Sequence, residues 1–195
     1  MKRRDLVQLL AIAPLAGIEW TPADVERAAR AVASLRARGQ AYQPKFFTAH
    51  EYQTVRVLVD LIIPKDERSG GATDAGVPEF MDFIVGDQTS RQTAMRGGLA
   101  WLDTECRERF GRNFLDGDDA QRRAVLDDIA WPARARPEMS HGVAFFNNFR
   151  DLTATGFWSS KMGVEDLGYM GNTVVPEWKG CPAEQLRKLG VSYGD

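Results

Sequence analysis

Apolar residues along this chain recur at steps of three and four in segment after segment, and no stretch alternates apolar with polar as a half-buried strand would. Met95, Leu99, Leu102, Cys106 and Phe110 form the longest such stripe. Steps of three and four put side chains on one face of an α-helix, where Cβ atoms stack one above another. A chain patterned in this way buries its stripes by packing helix on helix. The predicted fold class is therefore all-α. With 195 residues, 44% hydrophobic and 27% charged, there is enough apolar material for one small helical domain with a core.

Punctuation divides the stripes. Thr21 and Pro22 open a segment ending at Gly39, in which Val25, Ala28, Val32 and Leu35 lie on one side. A polar stretch with Pro44 follows as a linker. Thr48 and Glu51 form a capping box before a helix bearing Tyr52, Val55, Val59 and Ile62, stopped by Pro64. Lys65 to Gly76 reads as an exposed loop, and Pro78 begins a short helix with Phe80, Phe83 and Ile84. Thr89 or Ser90 caps the longest helix, which reaches about Gly111; its Asp103–Arg107 and Glu105–Arg109 pairs are expected on the wet side. Gly97-Gly98 inside it costs roughly 2 kcal/mol relative to alanine, a cost that a close helix crossing would justify. Asp118 with Gln121 starts another helix ended by Trp131-Pro132. Ser140 opens one whose Val143, Phe145, Phe146, Phe149 and Leu152 exceed a single stripe, which predicts a central position. Regularity fades from Gly156 to Pro182, an aromatic- and glycine-rich stretch, and a last short helix closes at Gly190.

The N-terminus carries a different signal. Lys2-Arg3-Arg4-Asp5-Leu6 precedes an uncharged run from Leu9 to Ile18, far shorter than the roughly 20 residues of a membrane-spanning helix. Paired arginines before a short apolar stretch are the address of the twin-arginine export route, so Arg3, Arg4 and Leu6 are the expected export signal. The chain then divides into a leader at 1–18, a helical arm and linker at 19–45, and a helical domain at 46–195. Net charge is −2, and no basic stripe survives removal of the leader, which argues against a nucleic-acid partner. No other segment approaches transmembrane length.

Catalytic constellations are not recognisable. The glycine-rich cradles for dinucleotides or triphosphates are missing, as is a G-x-S-x-G elbow. Ser140 and His141 are neighbours whose side chains diverge by about 100°; Ser140 reads as a helix cap and His141 as an unpartnered histidine. His50 is expected exposed in a first helical turn. Asp118-Asp119 and Asp127-Asp128 read as caps and solvated charges, and Asp66, Glu67 and Asp74 lack the spacing of a calcium loop. Two cysteines and two histidines supply no metal site of their own. No catalytic or metal residue is assigned. Cys106 belongs to an apolar stripe. Cys181 lies in an irregular segment, where pairing with Cys106, pairing with another chain and a buried free thiol all remain open; its position favours the second. Phe157, Trp158, Tyr169 and Trp178 are candidate partner-interface anchors, since large aromatics in irregular backbone serve that role; plugging the core is the competing reading.

Several longer patterns agree with one family. Phe46-Phe47-Thr48 with Glu51, Asp60-Leu61-Ile62-Ile63-Pro64, Thr73 through Phe80, Gly156-Phe157-Trp158-Ser159-Ser160, and Gly171-Asn172 to Pro176-Glu177-Trp178 resemble the gluconate 2-dehydrogenase subunit 3 family. The resemblance runs from about Phe46 to Leu189, and the leader fits it. It implies a small subunit that binds no cofactor itself. The implied partners are a large subunit of the glucose-methanol-choline (GMC) type, holding FAD and the catalytic base, and a c-type cytochrome that takes the electrons. It also implies a periplasmic complex that oxidises a sugar, with a pyranoside ring hydroxyl the expected target. The small subunit would support folding, stability and export of the flavoprotein. Two other readings stay open: a subunit that also shapes the substrate pocket, and a stand-alone periplasmic binding protein.

Overall fold

The computed structural model describes residues 21–39, 42–169, 171, 176–177 and 180–193. Among these, nine α-helices and one short 3-10 turn are present and no strand, so the chain is all-α. The helices are α1 (Pro22–Ala37), α2 (Ala49–Ile62), α3 (Ala72–Ala75), α4 (Val77–Asp87), α5 (Thr89–Phe110), α6 (Asp119–Ala130), α7 (Ser140–Trp158), α8 (Lys161–Leu167) and α9 (Ala183–Leu189), with the 3-10 turn at Pro137–Met139.

Three of the helix starts are reciprocal capping boxes. At α1 the Asp24 amide donates to Thr21 Oγ1 at 3.2 Å while the Asp24 carboxylate accepts from the Thr21 hydroxyl at 2.7 Å. Thr48 with Glu51 caps α2, and Asp118 with Gln121 caps α6. Each satisfies amide donors that a helix start otherwise leaves without partners. Two expected caps are absent. Gln88 holds the cap position of α5 and Met139 that of α7, neither with a side-chain bond, so Thr89 and Ser140 are first helical residues instead. The 65–76 loop contains more structure than its composition suggests. Ala72 is fully buried, Asp60 Oδ1 accepts from the Thr73 amide at 2.7 Å, and α3 is thereby tied to α2. Gly76, at φ +87°, ends α3 and starts α4 in a left-handed conformation suited to glycine.

α7 is the hub, packing against α1 through α6 and α8. Phe145, Phe146, Phe149, Leu152 and Phe157 are all buried, which explains why its apolar residues overrun one stripe. Its crossing with α5 is reciprocal. A Cβ on Gly98 would lie 1.9 Å from the Phe145 ring, and one on Gly142 would lie 2.3 Å from the Trp101 ring. Each helix therefore offers a glycine hole to the other's aromatic knob. Gly97 has nothing within 4 Å, so the crossing accounts for only one glycine of the pair. α7 also runs further than expected, through Gly156 to Trp158. Gly156 lets the helix approach Phe80 of α4, where a Cβ would stand 2.8 Å from the ring. The arm helix α1 lies on α4 and places Ala28 and Val32 in the same core as the rest.

Candidate functional site

One open feature is a groove of about 940 Å³ between α1 and the corner where α7 turns into α8. Val25, Ala29 and Ala33 form the α1 wall, Phe80 and Ala75 the floor, and Gly156 with Met162 the opposite wall. Small residues line both walls of the groove, Ala29 and Ala33 on one side and Gly156 on the other. Its charged side chains, among them Glu26, Arg30 and Lys161, are exposed and of both signs. The floor is apolar, so the groove suits an uncharged, apolar occupant.

A second feature is polar. The linker after α1 is held by Asp82, a 1% exposed carboxylate on α4. It accepts from the Tyr42 hydroxyl at 2.6 Å and from the amides of Lys45, Phe46 and Phe47 at 2.8, 3.0 and 2.8 Å. Four donors satisfy a buried charge that is otherwise costly. Beside it the Tyr52 hydroxyl donates to Glu79 Oε1 at 2.9 Å. Burial, together with the Asp82 carboxylate, pushes the Tyr42 phenol well above its ordinary value, and burial with Glu79 does the same to Tyr52. Both hydroxyls thus act as fixed donors at physiological pH, not as bases. Tyr42 and Glu79, with Arg36 and Arg56, line an open cleft of about 440 Å³.

A third cluster joins α2 to α5. His50 Nε2 lies 2.6 Å from Asp103 Oδ2, while Asp103 Oδ1 accepts from the Phe114 amide at 3.0 Å. Asp103 is thus buried at a helix contact and not on the wet side, and Arg107 turns to Asn113 and Thr104 instead. Nothing in the sequence pointed to this pair, because its members are 53 residues apart. Beside it Cys106 is buried, and burial pushes its thiol up to about 11, with Asp103 adding to the shift. It is no nucleophile at neutral pH.

The predicted interface aromatics separate. Phe157 is 1% exposed and part of this chain's own core, which corrects its expected role as an interface anchor: it faces inward from α7. Trp158, the next residue, is 43% exposed and packs edge-on to Phe157 with ring centroids 5.8 Å apart. Tyr169 is exposed just beyond α8. Trp178, like the export residues Arg3, Arg4 and Leu6, lies outside the described residues. Cys181 is an exposed free thiol and Cys106 a buried one, so the intrachain pairing is not formed. His141 is exposed at the start of α7 and lines neither groove nor cleft.

The isolated carboxylates are locally engaged. Asp118 caps α6, Asp119 pairs with Arg123 at 2.8 Å, and Asp128 with Arg109 at 2.7 Å. Asp66 accepts from the Arg68 and Ser69 amides, which hold it below the usual carboxylate range. Among the described residues no group of three or more histidine, cysteine or acidic side chains is placed to hold a metal, and no helix is long and apolar enough to cross a membrane.

Fold and surfaces together define the class: a small all-α domain organised around one central helix, with an apolar groove and a hydroxyl–carboxylate cleft. The chain belongs to the gluconate 2-dehydrogenase subunit 3 family, whose pattern matches residues 49–176. It is in that sense a subunit of a dehydrogenase complex. No curated protein and no solved structure matches it. The match spans α2 to α8, leaving α1 ahead of it and α9 behind.

Proposed function

We propose that this chain is the accessory subunit of a periplasmic, FAD-dependent sugar dehydrogenase. In this reading it folds with a GMC-type flavoprotein subunit, stabilises it and carries it through the twin-arginine route, while a c-type cytochrome takes the electrons. FAD and the catalytic base belong to the large subunit, and the substrate is a pyranoside oxidised at a ring hydroxyl. The family match over residues 49–176 carries the reading. The leader supports the export half, because Arg3 and Arg4 directly precede a short apolar run.

Co-expression tests it. With this chain omitted, the flavoprotein subunit should be unstable, inactive or stranded in the cytoplasm. An active and correctly exported flavoprotein without it would falsify the proposal. Changing Arg3→Lys and Arg4→Lys together should strand both subunits inside the cell; export of the large subunit despite that change would show that the leader serves this chain alone.

A further inference from the structure

We propose that α1 is a detachable strap: it lifts as one unit from a body that stays folded, and so uncovers the face of α4 on which it lies. The helix is held by few contacts along its length. Of its 16 residues only Ala28 and Val32 are buried, against eight of 19 on α7. Buried apolar area sets how firmly a helix is held, and these two side chains supply little of it. Val32 seats over Gly76, where a Cβ would stand 2.8 Å from its Cγ1, so the contact is close but confined to one spot.

Polar contacts tie down its first two turns. Arg27 bridges to Asp87 at 2.9 Å, and Gln88 Nε2 donates to Asp24 Oδ2 at 3.2 Å. The Arg27 and Asp87 side chains are both more than half exposed, and an ion pair in that setting contributes little. The firm attachment lies beyond the helix. Asp82 holds the Tyr42 hydroxyl and the amides of Lys45, Phe46 and Phe47, and both phenylalanines are buried. The chain is thus anchored to the body after α1 ends, and lifting α1 breaks none of those four bonds.

The place of α1 gives this motion a consequence. The helix walls the apolar groove on one side and the polar cleft on the other, and its Arg36 lines both. With α1 lifted, the two spaces become one trough, from Met162 past Phe80 to Glu79. Phe80, only 2% exposed under the strap, then meets water. The family pattern begins at residue 49, so the strap lies ahead of the matched span and the face that it covers lies within it. One surface of this domain therefore has a covered and an uncovered state. This inference goes beyond the accessory-subunit reading and does not depend on it, since strap and covered face belong to this chain.

Native-state amide hydrogen exchange on the full-length chain, repeated at rising denaturant, tests the proposal. The amides from Glu26 to Ala37 should exchange through one shared opening, about a hundredfold or more faster than those in the middle of α7, and with a shallower dependence on denaturant. Exchange of α1 at the rate and denaturant slope of α7 overturns the proposal, because the helix then leaves only when the whole domain unfolds. Protection that climbs residue by residue from Glu26 to Ala37 also overturns it, since that is fraying and not a unit lifting. A second measurement uses the buried Cys106 as an internal reference. In a Val32→Cys/Cys181→Ser chain the thiol at position 32 should react with a bulky maleimide about tenfold or more faster than Cys106; equal rates for the two thiols count against the strap.

Discussion

Gly97 and Gly98 are adjacent, identical and differently used, which makes them a sharp test of packing at the residue scale. Alanine at Gly98 would drive its methyl into the Phe145 ring, and overpacking of this kind costs about 1–3 kcal/mol or more. Alanine at Gly97 meets open space and gains about 1 kcal/mol of helix propensity. Thermal unfolding of the two variants should therefore shift in opposite directions. Asp82 gives a second test. Asp82→Ala removes the acceptor for Tyr42 and three amides, leaving several donors buried, at a cost of about 3 kcal/mol or more by denaturant unfolding. Tyr42→Phe should cost less, about 1–3 kcal/mol, because the three amides keep their acceptor. Neither role was legible in the sequence. An aspartate between Met81 and Phe83 looks like any polar residue on a short amphipathic helix, and its donors lie 35 to 40 residues earlier.

At the scale of the element, the end of α7 separates folding from recognition within one dipeptide. Phe157→Ala empties a fully enclosed site and should cost about 3–5 kcal/mol. Trp158→Ala removes a half-exposed ring and should leave the melting temperature of the isolated chain nearly unchanged. If Trp158 anchors the flavoprotein subunit, the same change weakens their association in a pull-down titration; unchanged association removes Trp158 from the interface. Helix existence and most boundaries could be read from the chain, since capping boxes such as Thr21–Asp24 and Thr48–Glu51 act over three residues. The continuation of α7 through Gly156 could not. It depends on Phe80 of another helix filling the space that a side chain at 156 would take.

For the molecule as a whole, the titrating groups set an alkaline limit. Cys106 is shifted up from 9.0 to about 11, and Tyr42 and Tyr52 are shifted up from 10.0. The folded state holds these protons more tightly than the unfolded state. Their contribution is therefore fully present below about pH 9, the unfolded thiol's range, and is lost as the pH rises through the folded values. Stability from denaturant unfolding should fall steeply between about pH 9 and 11, and Tyr42→Phe should flatten the upper part of that fall. A profile that stays level to pH 11 would show that these groups are not held in the way the buried network implies.

The leader pattern, the spacing of apolar residues, the capping boxes and the family likeness from Phe46 onward are all properties of short stretches of chain. Each rests on neighbours within a few residues, so helical class and family were already present in the order of the amino acids. What the folded molecule added are relations between distant residues. His50 meets Asp103, Asp82 gathers the linker, Gly98 receives Phe145 while Gly97 receives nothing, and Phe157 turns inward where Trp158 turns out. These outcomes depend on where whole helices cross, and close packing makes such positions a property of every contact at once.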